Sequence, residues 1–204
     1  FYAMQQWEEE IMPVVSVPSG NFGNICAGLV ASVAGLPIKH FVAACNSNDI
    51  FSDYINTKEI NPKTAVPTIS NAMDVGNPSN LVRLIELFNK DHKRIKEFIS
   101  ACEVSEEVTA STIAEVYKDH NYLLEPHGAV AYHGLMQCLN ANPSDKGFIL
   151  ETAHPVKFGD TVEGIINEEV AIPESVKYLL DLDKKSTLMS PSFADFKQLL
   201  ISRD

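Results

Sequence analysis

The sequence predicts an α/β protein with an open, mostly parallel sheet and helices on both faces, a three-layer αβα arrangement. Three observations carry this expectation. The β-branched run Met12–Val17, a small-residue helical stretch and the apolar run Ile38–Ala44 follow one another within a few turns of chain. Strand, helix and strand in roughly thirty residues make a βαβ unit, which implies a parallel pair with a right-handed crossover. A further buried strand, Gly147–Glu151, lies far downstream, and the sequence between is dominated by helical patterns.

Each element has its own signal. Phe1–Glu10 resembles the end of a helix and has neither a cap nor an initiator Met before it, so we expect the chain to continue a segment encoded upstream. Pro13 and Pro18 bound the first strand. The following helix spans about Gly23–Ala34 and is stopped by Gly35-Leu36-Pro37. Asn48-Asp49 is a candidate cap for a helix over Ile50–Thr57. Lys58–Asn77 has no clear period and reads as a long loop of the kind that is often functional. Asn77-Pro78-Ser79-Asn80 starts a helix containing "LVRLIELF", and another is expected from about Asp91 to Cys102. Ser105 and the run Ser111–His120 give further helical starts, and Pro126 suits the first turn of "HGAVAYHGLMQCL". Short helices are expected near Asp160–Glu163, Glu174–Leu180 and the C-terminus.

Composition narrows the function classes. The 204 residues are 45% hydrophobic and 21% charged, ordinary for a globular protein. A net charge of -11 argues against sequence-independent nucleic-acid binding, which relies on Lys and Arg. No apolar run approaches the ~20 residues that span a bilayer. "FYAMQQWEEE" lacks the basic start and apolar core of a signal peptide. Cys26, Cys45, Cys102 and Cys138 show no CxxC spacing, so we expect free thiols, no metal site and a cytoplasmic location.

The most informative stretch is "VPSGNFGNICAG". Ser19–Asn24 lies between a strand end and a helix start, where ligands of open α/β sheets sit. Backbone N–H groups and the helix dipole make such a turn an anion site. Gly20 and Gly23 permit close approach and positive φ, and Asn21 and Asn24 offer side-chain donors. Phosphate is the expected ligand class, against a plain βα turn. A Walker A loop and a GxGxxG fingerprint are both absent, and the second strand ends in "AACN" without a ribose-binding acid.

"VPSGNFGNICAG", "GLPIKHFVAACNSNDI", "NPSNLVRLIEL", "EPHGAVAY" and "ETAHPVKF", in this order over about residues 1–158, resemble the threonine synthase family. The Asn-Phe of "SGNFGN" favours that family over serine or threonine dehydratases and cysteine synthases, whose loops are richer in glycine. The resemblance implies the fold type of the tryptophan-synthase β subunit (fold type II of pyridoxal-phosphate enzymes), present here in part, with pyridoxal phosphate as cofactor. It implies that Gly20, Asn21, Phe22, Gly23 and Asn24 cradle the cofactor phosphate and that Thr152 hydrogen-bonds the ring nitrogen. Residues 1–158 are then expected to form the phosphate-binding α/β domain, with 159–204 as a helical extension packing on it. The implied reaction converts O-phospho-L-homoserine and water to L-threonine and phosphate.

The family's Schiff-base lysine lies in a Ser-Phe-Lys-Asp-like segment, which these residues lack. That leaves no catalytic residue assigned here. The chain is expected to be inactive alone and to need the N-terminal part of the same protein as its partner; the oligomeric state stays open. Lys157 is a poor candidate for the missing lysine. Ser19, Asn48 and Asp49 are candidate substrate contacts, although Asn48 and Asp49 serve equally as helix caps. His127 and His154 are more simply packed or capping groups than acids or bases, and Arg83 an exposed helical cation. Two alternatives remain: another fold-type-II amino-acid lyase, or a non-catalytic module binding a phosphate ligand.

Overall fold

The first β-branched run becomes a central strand. After a short helix α1 (Tyr2–Gln5), strand β1 (Val14–Pro18) is buried at every position. The computed structural model describes residues 1–202; Arg203 and Asp204, the end of the expected C-terminal extension, lie outside the described residues. Helix α2 (Gly23–Val33) leads to β2 (His40–Cys45). Helices α3 (Phe51–Thr57), α4 (Leu81–Leu87) and α5 (His92–Phe98) lead to β3 (Ile99–Glu103). Helices α6 (Glu106–His120) and α7 (Pro126–Ala141) lead to β4 (Gly147–Ile149), followed by α8 (Gly159–Ile166).

All strand pairs are parallel, in the order β3-β2-β1-β4. Side-chain alternation splits the core into two layers. Val15, Val17, Phe41 and Ala43 pack with Ile25, Leu29, Phe51, Leu81 and Ile95 of the helices on one face. Val14, Val42 and Ala44 pack with Val130, Ala131 and Leu135 of α7 on the other. The expected three-layer α/β architecture is therefore present.

One element differs in kind. The helix expected over Asp91–Cys102 ends at Phe98, and Ile99 turns to φ -135 and ψ 126 to begin β3. Pairing decides this: Ile99 aligns with Phe41 and Cys102 with Ala44. Edge pairing overrides a segment whose residues fit a helix equally well.

The contacts divide the chain into Phe1–Val170 and Ala171–Asp204, later than the boundary expected after Phe158. The reason is α8, whose Val162 is fully buried with Ile113, Val116 and Ala129 of the first unit. The second unit holds α9 (Glu174–Lys177) and α10 (Phe193–Ile201), the latter capped by Ser192, which accepts from Asp195 N. No helix among the described residues is long and apolar enough to cross a membrane.

The strand order locates the ligand crevice. The chain runs from β1 outward through β2 to β3, then returns to place β4 on the other side of β1. The order reverses between β1 and β4. In open α/β sheets, ligands bind beyond the carboxyl ends of the strands at such a point.

Candidate functional site

A cleft of about 320 Å³ occupies that position. Its walls are Pro18 and Gly20–Asn24 after β1, Thr152 and Ala153 after β4, the turn at Ala72 and Met73, His127, Lys157 and Phe158. All six residues expected to hold the cofactor, Gly20, Asn21, Phe22, Gly23, Asn24 and Thr152, thus meet in one cleft. No carboxylate is among the lining residues, and Lys157 brings a cation.

The loop obtains its shape differently from expectation. Gly20 and Gly23 do not take positive φ; Phe22 does, at φ 60. Its left-handed conformation costs about 1 kcal/mol. Burial offsets that cost, since Phe22 is 3% exposed and its ring packs on Phe51 at 5.4 Å. Gly20 is required for closeness instead. A Cβ there would stand 2.5 Å from Cα of Met73. Asn21 Oδ1 accepts from Ser79 N at 2.6 Å and Ser79 Oγ at 3.1 Å, which ties the loop to the segment before α4.

The N-terminus of α2 is left open. Phe22 supplies no side-chain cap, and the first turn holds no acidic residue. Its first N–H groups and the positive end of the helix dipole therefore meet the cleft without a competing carboxylate.

Ser19, Asn48 and Asp49 do not line the cleft. Ser19 is buried, with Oγ donating to Val17 O at 2.8 Å and N donating to Ala44 O at 2.8 Å. Asn48 holds the long loop: Oδ1 accepts from Val66 N at 2.7 Å, and Nδ2 donates to Val66 O and to Asp74 Oδ1. Asp49 accepts from Ser52 N at 2.9 Å and from Ser52 Oγ, capping α3. His154 accepts from Val156 N and opens the turn Pro155–Phe158.

Glu125 is buried beside His127, and Glu151 lines a larger groove that adjoins the cleft. The Glu151 carboxylate is pressed against Gly128, where an added Cβ would meet Oε1 at 2.2 Å. Burial of that carboxyl, then the neighbouring Glu125, raise its pKa from the ordinary 4.5 to about 7. Burial also raises all four thiols, Cys102 to about 11, so none is poised as a thiolate nucleophile. Among the described residues no group of three or more His, Cys, Asp or Glu is gathered as for a metal. The larger groove, of about 670 Å³, shares Asn24 and Thr152 with the cleft, but it is lined mainly by apolar residues such as Val15, Ile38, Phe41 and Phe148.

Comparison with known proteins agrees with this fold. Residues 128–200 match the family model described as threonine synthase, C-terminal. The chain is 42% identical over 189 residues to threonine synthase of Escherichia coli strain K12, covering 93% of this chain and 43% of that protein. Over its matched length, the chain is similar to the C-terminal part of threonine synthases. The solved Escherichia coli threonine synthase superposes with a TM-score of 0.89 at 39% identity, over 98% of this chain and 46% of that one. A threonine synthase from Brucella melitensis, solved with PLP bound, superposes at 0.84 and 27% identity, over 98% and 48%. The chain thus spans less than half the length of these threonine synthases.

Two parts of the site escaped sequence reasoning. The Ala72–Met73 turn sits in a segment without periodicity, and only tertiary contact brings it to the loop. Glu125 went unread, although an acidic residue directly before a proline at a helix start is the signal of a cap.

Proposed function

We propose that the chain is the C-terminal part of a pyridoxal-phosphate-dependent threonine synthase. The whole enzyme would convert O-phospho-L-homoserine and water to L-threonine and phosphate, in the cytoplasm, as a step of threonine biosynthesis. One observation carries this reading: the uncapped N-terminus of α2 and Thr152 face one carboxylate-free cleft at the switch point of the sheet.

The residues fit the cofactor. Main-chain N–H groups of Gly20–Asn24 and the α2 dipole suit a phosphate dianion. Gly20, held against the main chain of Met73, keeps the loop floor free of side-chain bulk. Thr152, past the end of β4, would offer its hydroxyl to the ring nitrogen across the cleft. Bound there, the cofactor supplies an electron sink for carbanion chemistry beside the α carbon of an amino acid. A hydroxyl partner, unlike a carboxylate, leaves that nitrogen largely unprotonated. Phe158 and His127 wall the cleft against water, their rings 5.0 Å apart. Lys157 would add a cation for an anionic ligand. The lysine that anchors the cofactor is expected in the N-terminal part, so these residues alone are expected not to turn over substrate.

The test uses the full-length protein. Wild type is expected to bind pyridoxal phosphate, with its absorbance shifted on binding, and to release phosphate from O-phospho-L-homoserine while forming threonine. Asn21→Ala and Thr152→Ala should weaken both. Cofactor binding without turnover of this substrate would point to another amino-acid lyase. Absence of cofactor binding would overturn the enzymatic reading.

A further inference from the structure

We infer that His127 is a positioning residue for the anion cradle, acting through the main chain at Ala72. The inference rests on the proposed function only in taking that cradle as the cofactor-phosphate site.

The hydrogen bonds fix what His127 can do. The Glu125 carboxylate, 0% exposed, accepts from His127 N at 3.0 Å and Gly128 N at 2.8 Å, and meets His127 Nδ1 at 2.6 Å. On its other side, His127 Nε2 stands 3.2 Å from Ala72 N. A backbone amide only donates, so Nε2 accepts. The ring is thereby assigned as neutral imidazole with its proton on Nδ1, directed at Glu125. Its lone pair is already used, and its proton faces a buried carboxylate. Although His127 lines the cleft, it is thus arranged as a strut rather than as an acid or base.

The strut ends on the cradle. Ala72 is the middle residue of the turn Asn71–Met73, and Met73 is the residue whose main chain closes on Gly20. The route runs from Glu125 through His127 and the turn to the floor of the loop. The far side of the turn is held separately, by Asp74. Its Oδ1 accepts from Thr68 Oγ1 at 2.7 Å, Asn46 Nδ2 at 2.9 Å and Asn48 Nδ2 at 3.1 Å. The turn is clamped from both sides within an otherwise irregular segment, and His127 is the clamp that faces the cleft.

Two substitutions separate this role from packing. In His127→Gln, the amide oxygen reaches the Nε2 position and can still accept from Ala72. In His127→Asn, the amide nitrogen keeps a donor toward Glu125 but nothing reaches Ala72. Both are made in the full-length protein, without and with pyridoxal phosphate. Hydrogen exchange of the peptide covering residues 69–75 is followed in the apo protein, and cofactor affinity is measured by titration. His127→Asn should exchange faster in that peptide and bind roughly tenfold more weakly, the equivalent of one lost hydrogen bond. His127→Gln should stay close to wild type in both. Equal behaviour of the two variants in exchange and affinity would overturn the role of His127. Wild-type protein that binds no pyridoxal phosphate would overturn the functional reading instead, and the apo exchange data would still decide whether the strut holds the turn.

Discussion

Two helix starts frame the cleft, and they are built in opposite ways. At α7, Glu125 accepts from the N–H groups of residues 127 and 128, and Pro126 removes another donor from the first turn. Helices α5 and α6 are likewise capped, by Asp91 and Ser105. At α2, the cap position is a buried Phe22 in left-handed conformation, with no side-chain cap and no acid in the first turn. In each capped helix a side chain takes up one or two of the first-turn amide donors. Helix α2 has kept its donors free at the site where the strand order reverses. Helix α4 also starts without a side-chain cap or a first-turn acid, so an open start alone does not mark a ligand site. What sets α2 apart is that its open start lies where the strand order reverses, the place that suits an anion.

The largest expected effect lies at α7. Glu125→Ala leaves two N–H groups and the imidazole N–H without their buried acceptor, at a cost of about 2–4 kcal/mol. Thermal unfolding of the full-length protein should fall by several degrees, and Glu125→Gln, which keeps one acceptor oxygen, should fall less. A Glu125→Ala protein as stable as wild type would remove the contrast between the two starts.

At α2, Gly20→Ala should act on the ligand. The new Cβ cannot fit 2.5 Å from Cα of Met73, so loop and turn must separate. Overpacking of this kind costs about 1–3 kcal/mol. Affinity for pyridoxal phosphate should drop by roughly tenfold or more, as read by titration. Thr152→Val should lower kcat more than it raises KM for O-phospho-L-homoserine, whereas Thr152→Ser should retain most activity because the hydroxyl remains.

The smallest effect concerns Glu151. Its pKa is raised from 4.5 to about 7 in the folded protein. The folded state therefore binds this proton more tightly than the unfolded chain. Its contribution to stability is fully present below about pH 4.5 and is lost as pH rises through about 7. Unfolding measured across this range should show part of the decline vanish in Glu151→Gln. An unchanged profile would mean that folding does not raise the Glu151 pKa.

The βαβ unit was legible in sequence because strand and helix periods differ and because glycine and proline mark the joints. The loop at Gly20–Asn24 was legible for the same reason. Its internal mechanics were not. Phe has no preference for positive φ, so nothing local assigned that conformation to Phe22 rather than to a glycine. The need for Gly20 arises from Met73, and the seat of His127 from Ala72, both distant along the chain. Strand β3 was hidden because "IKEFISAC" suits a helix or an edge strand, and only its pairing with β2 decides. Asn48 and Asp49 were placed correctly at a strand end, but their side chains hold a loop and cap a helix.

The most direct measurement converts one helix start into the other. Gly23 is the first residue of α2 and does not have positive φ, and a Cβ there would find nothing closer than Asn80 Nδ2 at 3.7 Å. Gly23→Asp places a carboxylate in the first turn, where it should favour the helix by about 0.5 kcal/mol. In the full-length protein, we expect stability to hold or rise while affinity for pyridoxal phosphate falls by at least about tenfold. An Asp variant that folds and binds the cofactor as tightly as wild type would contradict the claim that this helix start is kept open for an anion.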